Sequence, residues 1–209
     1  MNFKLFLTGA ALASATLIAS SAGAVNVILF DNLGAATTGS DSAATFGPLA
    51  DSFSTGNQTI TASGISVLVD GVSTDSGFFT VSVLNDAGTS PGSTFASGTF
   101  SDSFLNGTPT VLAFGCACTL AANTRYWIQL ADAGASSLNW SWSTDISGVG
   151  VAGEYFANSG GVFPNDPNGP YQLQVSVTAV PEAATWAMML TGFGLTGAAL
   201  RRRNAVLAA

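Results

Sequence analysis

Histidine is absent from this 209-residue chain, cysteine occurs only twice, and twelve acids face five lysines and arginines. Without histidine no Ser-His-Asp or Cys-His nucleophile system can be assembled, and the commonest metal ligand is missing. Basic charge is scarcer than the total implies, because Lys4, Arg201, Arg202 and Arg203 all sit at the chain ends. Residues 25–179 therefore hold eleven acids against Arg125 alone, a net charge near −10. A field of that sign excludes nucleic acid, which needs cations to displace the counterions on its phosphates, and it opposes nucleotides and anionic lipid equally. The same stretch is poor in Lys, Glu, Gln and Leu, which favour helices, and rich in Gly, Ser, Thr, Asn, Asp and β-branched residues, which favour turns and strands.

Much of the apolar character lies at the two ends. Residues 1–24, MNFKLFLTGAALASATLIASSAGA, combine a cation at Lys4, an unbroken apolar stretch, and small residues at Ala22 and Ala24. That is the layout of a secretory signal peptide, cut after Ala24 by signal peptidase. About 155 residues then precede the C-terminal segment, enough to bury one core. No Pro-rich or charge-rich linker divides them, so residues 25–179 read as a single extracellular domain.

Within that domain hydrophobicity alternates with period two, the mark of half-buried strands. In YQLQVSVTAV, Tyr171, Leu173, Val175 and Val177 fall on one face, and Gln172, Gln174, Ser176 and Thr178 on the other. Ile65, Val67 and Val69, then Phe79, Val81 and Val83, then Tyr126, Ile128 and Leu130 repeat the pattern. Further strands are expected in VNVILF, ADSFSTG, STFASGTF, PTVLAFG, NWSWS and GEYFANSG. Turn chemistry separates them at Asp70-Gly71, NDAGTSPG, Asn106-Gly107 and PNDPNGP. Roughly ten short strands without a helix of useful length predict an antiparallel, jelly-roll-like β-sandwich.

The stretches LFDNL, ADSFSTGNQTITASGISVLV, FTVSVLNDAGTSPGSTFASGTF, LAANTRYWIQL and LNWSWSTD resemble the choice-of-anchor R domain, an extracellular bacterial module found with different C-terminal sorting signals. The resemblance covers most of the domain. It implies a β-sandwich displayed outside the cell and brings no catalytic residues.

Four sets of residues invite a chemical reading. Cys116 and Cys118 belong to an exported chain and so meet oxidising conditions. Along an extended strand they would lie about 6.6–6.8 Å apart, the upper limit for a bridge, so a local disulfide requires a bulge or turn at Ala117. Free thiols and an intermolecular link are the alternatives. Trp140 and Trp142 share a strand face, with Tyr126 and Trp127 nearby; exposed, the two indoles could stack on sugar rings, and buried they would be core. Structural calcium would fall to loop oxygens of Asp31, Asn32, Asn85, Asp86, Asn165, Asp166 and Asn168, though no spacing resembles an EF-hand. Paired carboxylates for glycoside hydrolysis are the last set, with Glu154 the only glutamate of the domain and most aspartates in turn sequences. Arg125 is expected to pair with a neighbouring aspartate across the sheet.

Residues 180–204 read VPEAATWAMMLTGFGLTGAALRRRN. The uncharged run 183–200 would rise about 27 Å as a helix, a bare span of a bilayer core of roughly 30 Å. Arg201, Arg202 and Arg203 would stop it at the cytoplasmic face. The three parts resemble the PEP-CTERM sorting signal of Gram-negative bacteria: Val180, Pro181 and Glu182 match its opening motif, the run matches its hydrophobic part, and the arginines match its basic end. Ala183 stands where proline is usual, which keeps a permanent short anchor as the alternative. Residues 205–209 form a short tail. The resemblance implies recognition and cleavage by an exosortase, a membrane cysteine protease, after transient anchoring. The expected protein is thus a non-catalytic component of the cell surface or exopolysaccharide matrix, needing no cofactor. A carbohydrate-binding module and, behind it, a carbohydrate-active enzyme are the alternatives.

Overall fold

A computed structural model of the chain describes residues 25–73, 77–179, 189–194 and 196–197. One sheet runs in the order β1 (Val25–Asp31), β13 (Leu173–Ala179), β4 (Ile60–Asp70), β10 (Asn139–Trp142), β2 (Gly39–Ser42), and β7 (Thr110–Phe114) and β8 (Thr119–Leu120) also pair with β4. The second runs β12 (Gly161–Pro164), β11 (Tyr155–Asn158), β3 (Leu49–Ser54), β9 (Arg125–Gly134), β5 (Phe78–Asp86), β6 (Pro91–Ser101). The strand pairings within both sheets are antiparallel. Two single-turn helices, α1 (Ala43–Phe46) and α2 (Asn165–Asn168), lie between strands.

The alternating segments pack as their chemistry demands. Ile65, Val67 and Val69 of the first sheet join Phe79, Val81, Val83, Ile128 and Leu130 of the second in one core, each at most 1% exposed. Burying an aliphatic or aromatic side chain of this size stabilises the fold by about 1.5–3 kcal/mol, so this shared layer holds the sheets together as a β-sandwich. Tyr171, Leu173, Val175 and Val177 face the same core. Gln172 departs from the expected polar outer face and is buried. The loop after β1 folds over it, so its amide donates to Ala35 O (2.7 Å) and accepts from Thr37 Oγ1 (2.7 Å).

Cys116 and Cys118 are joined, with Cα atoms 5.1 Å apart. The contraction has a visible cause. From Phe114, opposite Ile65, to Thr119, opposite Thr61, the chain takes five steps against four on β4. The additional residue is a bulge between β7 and β8, and it brings the two Cβ atoms together.

The expected signal peptide over residues 1–24, the sorting residues Val180, Pro181 and Glu182, and Arg201, Arg202 and Arg203 lie outside the described residues. Of the expected membrane run, residues 189–194 and 196–197 are described and helical. Among the described residues no helix is long and apolar enough to cross a membrane.

Candidate functional site: an aromatic cleft with one carboxylate

Edge strands of the two sheets meet around an open cleft of about 330 Å³. Asp41 of β2 and Trp142 of β10 line it from one sheet, Phe156 and Asn158 of β11 and Phe163 of β12 from the other. Asn168 at the end of α2, with Gly169 and Tyr171 from the segment that follows it, completes the lining. Strand alternation sets these positions: Trp142 follows Trp140 by two residues, and Phe156 and Asn158 are likewise two apart, so each pair shares a face.

The Trp142 indole is seated by two glycines. Gly39 lies directly across the β10–β2 ladder from it, and a Cβ there would stand 2.7 Å from Trp142 Cζ2. At Gly169, whose φ of +93° already disfavours other residues, a Cβ would lie 3.1 Å from Trp142 Cε3. Side chains at either position would push the ring out of its seat.

Tyr171 forms the base of the cleft. Its ring stacks on Trp140 at 4.7 Å and 16°, and meets Phe156 edge-on at 5.8 Å and 86°. Phe156 in turn stacks on Phe163 at 5.3 Å. The Tyr171 hydroxyl donates to Asp41 Oδ2 at 2.7 Å and also bonds the Asn158 side chain. Burial, reinforced by the bond to Asp41, holds this phenol well above its usual titration range. Tyr171 therefore stays a neutral donor, and Asp41 is the ionisable carboxylate of the cleft lining.

A buried polar network fastens this base to the second sheet. Asp51 of β3 is wholly buried; its Oδ2 accepts Tyr171 N (2.8 Å) and its Oδ1 accepts Asn165 Nδ2 (3.2 Å). Desolvation pushes its pKa well up, the two hydrogen bonds oppose that, and Glu154 adds to the rise. Asn165 Nδ2 also reaches Val151 O at 3.2 Å, while Asn165 Oδ1 is buried without a partner. Glu154 accepts from Ser52 Oγ (2.5 Å) and Arg125 Nε (2.8 Å). Arg125 thus pairs with the glutamate instead of an aspartate, because the longer side chain reaches it from the turn before β11, and its guanidinium lies 4.8 Å over the Tyr155 ring.

The residues singled out by sequence fare differently. Trp140 is 0% exposed, with its Nε1 donating to Gln172 O at 3.0 Å, so it offers no face to a sugar. Tyr126 is buried in the core, and Trp127 is buried under the opposite face of its sheet, donating to Asp86 Oδ1 at 2.8 Å. Only Trp142 of these aromatics reaches the cleft. Asp31, Asp86 and Asp166 are not brought together: they lie at the end of β1, at the β5–β6 turn and within α2. Asp31 caps Leu33 N and Gln174 Nε2, and Asp86 Oδ2 caps Thr89 N. Among the described residues no three acids or cysteines are grouped closely enough to hold a metal. Asp51 and Glu154, which interact electrostatically, do not line the cleft. Phe156, Phe163, Tyr171 and Asp41 were not foreseen as a set, and only the strand alternation around Tyr171 and Phe156 offered a signal.

In comparisons with known proteins, no family model matches the chain and no curated protein matches it.

Proposed function

We propose that this chain is an exported, non-catalytic β-sandwich that holds extracellular polysaccharide in the cleft between its sheet edges. The observation that carries the reading is the meeting of Trp142, Phe156 and Phe163 with Asp41, Asn158 and Asn168 in one concave surface above the buried Tyr171. Flat apolar rings stack on the C–H faces of sugars, while carboxylate and amide groups take up the hydroxyls at the edge. Glycoside hydrolysis requires a second carboxyl group about 5–9.5 Å from the first. The cleft lining holds Asp41 alone.

Delivery belongs to the same proposal. The signal peptide, the Val180-Pro181-Glu182 motif, the apolar run and the three arginines address the chain to an exosortase-type protease and then to the cell surface or matrix. The jelly-roll-like winding and the flanking signal and transmembrane helices are part of it. The glycan reading is tested by affinity electrophoresis of the full chain in gels containing soluble polysaccharides. Retardation by at least one polymer, abolished in Trp142→Ala, is expected; equal mobility in every gel removes the reading. Mass spectrometry of the mature protein tests delivery, since a product that retains Arg201, Arg202 and Arg203 is a permanently anchored protein.

A further inference from the structure

The charge of the cleft narrows its ligand. The rings of Trp142, Phe156 and Phe163, above the buried Tyr171, surround a site whose lining carries one acid and no base. Arg125 is the only base in residues 25–179, and it is engaged by Glu154 and stacked on Tyr155. Asp41 therefore accepts from Tyr171 Oη and has no cation in the cleft lining to balance it. Tyr171 stays a neutral phenol and adds no second anion to the cleft.

A neutral sugar entering such a site would stack on the rings but return only hydroxyl hydrogen bonds to the carboxylate it desolvates. An acidic sugar would meet both Asp41 and the field of a domain whose net charge is near −10. An ammonium group gains from both features at once: it pairs with the carboxylate, and it is attracted to the faces of the surrounding rings. Aromatic rings grouped around one acid are the arrangement by which proteins hold organic ammonium ions.

We propose that the cleft binds a cationic amino sugar, a glucosamine-type residue with a free amine, through Asp41 and the rings of Trp142, Phe156 and Phe163. This rests on the glycan reading above and specifies its ligand. Asn158 and Asn168 would serve the hydroxyls, and the amine would sit against Asp41 with Trp142 along the ring face.

The test uses the full chain, purified in detergent, and three oligosaccharides of equal length: a glucosamine oligomer, its fully N-acetylated counterpart and a glucose oligomer. Titration calorimetry is run on the unaltered chain, on Asp41→Asn and on Trp142→Ala. Asparagine keeps an acceptor for Tyr171 Oη, and thermal melting checks that each variant folds. The glucosamine oligomer should bind about tenfold or more tightly than the other two, which is about 1.4 kcal/mol. Asp41→Asn should erase that preference, and Trp142→Ala should weaken all binding. Equal binding of the three oligomers, unchanged in Asp41→Asn, overturns the amine assignment and leaves the glycan reading standing. Tight glucosamine binding that neither variant alters is adsorption to the acidic surface, and it overturns the cleft as the site. Silence with all three oligomers overturns the amine assignment; with retardation absent from every polysaccharide gel as well, the glycan reading falls too.

Discussion

Replacing Asp51 with asparagine should change the pH dependence of stability in a sense opposite to that of an ordinary salt-bridged aspartate. Asp51 is wholly buried, and its carboxyl is held well above the ordinary aspartate range, chiefly by desolvation. As pH rises past the ordinary aspartate range, the unfolded chain releases this proton while the folded chain retains it. With more protons bound in the folded state, the free energy of unfolding falls as pH rises between the unfolded and folded pKa values, and levels off above the latter. A single proton limits the slope to about 1.4 kcal/mol per pH unit. At a urea dependence of about 1–3 kcal/mol/M, the unfolding midpoint moves by roughly 0.5–1.4 M per pH unit at its steepest.

Asp51→Asn removes the titration but places an amide N–H against one of the two donors that Asp51 accepts, Tyr171 N and Asn165 Nδ2. That mismatch costs about 1–3 kcal/mol at every pH. Repulsion among the surface acids also weakens the fold as pH rises, but it is common to both proteins and cancels in their difference. Urea unfolding, followed by tryptophan fluorescence from about pH 4 to about pH 8, therefore isolates Asp51. The unaltered chain should hold its largest advantage over the variant at the acid end, and that advantage should shrink or reverse toward neutral pH. An advantage that is flat, or that grows with pH, would refute the assignment of Asp51 as a buried proton-binding group.

Three further outcomes are expected. Trp142→Ala should abolish retardation in polysaccharide gels while unfolding in urea within about 3 kcal/mol of the unaltered chain, because the indole is only partly buried against the core. Replacing Cys116 and Cys118 together by serine should cost about 1–2 kcal/mol, since loop-closure entropy over so short a loop is small; a loss measured well beyond that would mean the bulge depends on the bridge. Arg125→Met should cost about 2–4 kcal/mol by leaving Glu154, 5% exposed, without its ion pair, and adding Glu154→Gln should recover more than half of the loss in the same unfolding assay.

Much of the sandwich was legible because its core strands alternate. The β-branched and aromatic residues of β4, β5, β9 and β13 recur every second position, and each such set is buried. The misreadings fall where a contact distant in sequence overrides local pattern. Gln172 is polar and period-consistent with an outer face, yet Ala35 and Thr37, far earlier in the chain, supply the partners that permit its burial. Strands β2 (GSDS) and β12 (GVFP) carry no apolar alternation, and pairing with β10 and β11 alone makes them strands. The cleft was invisible for the same reason: Asp41 and Tyr171 stand 130 residues apart, and nothing local to either predicts their hydrogen bond.

Trp140 shows how a core residue can govern the cleft without touching what the cleft holds. Its indole fixes the plane of Tyr171 through the stack at 4.7 Å and 16°, and Tyr171 in turn fixes Asp41. Trp140→Phe keeps an aromatic ring but reduces that overlap and removes the bond from Nε1 to Gln172 O, an oxygen that still accepts from Leu68 N at 3.0 Å. The stability cost is therefore mainly that of a small cavity, about 1–3 kcal/mol, well short of the cost of an orphaned buried carbonyl added to it. Tyr171 would then gain freedom to tilt, and Asp41 and the ring faces would no longer be held in one geometry. Glycan affinity should fall severalfold in Trp140→Phe, but Trp140→Phe should have much less effect when added to Trp142→Ala, because the seat it steadies is already lost. A variant that unfolds more easily yet is retarded in polysaccharide gels as strongly as the unaltered chain would show that the Tyr171 hydroxyl and Asp41 hold each other in place without the stack.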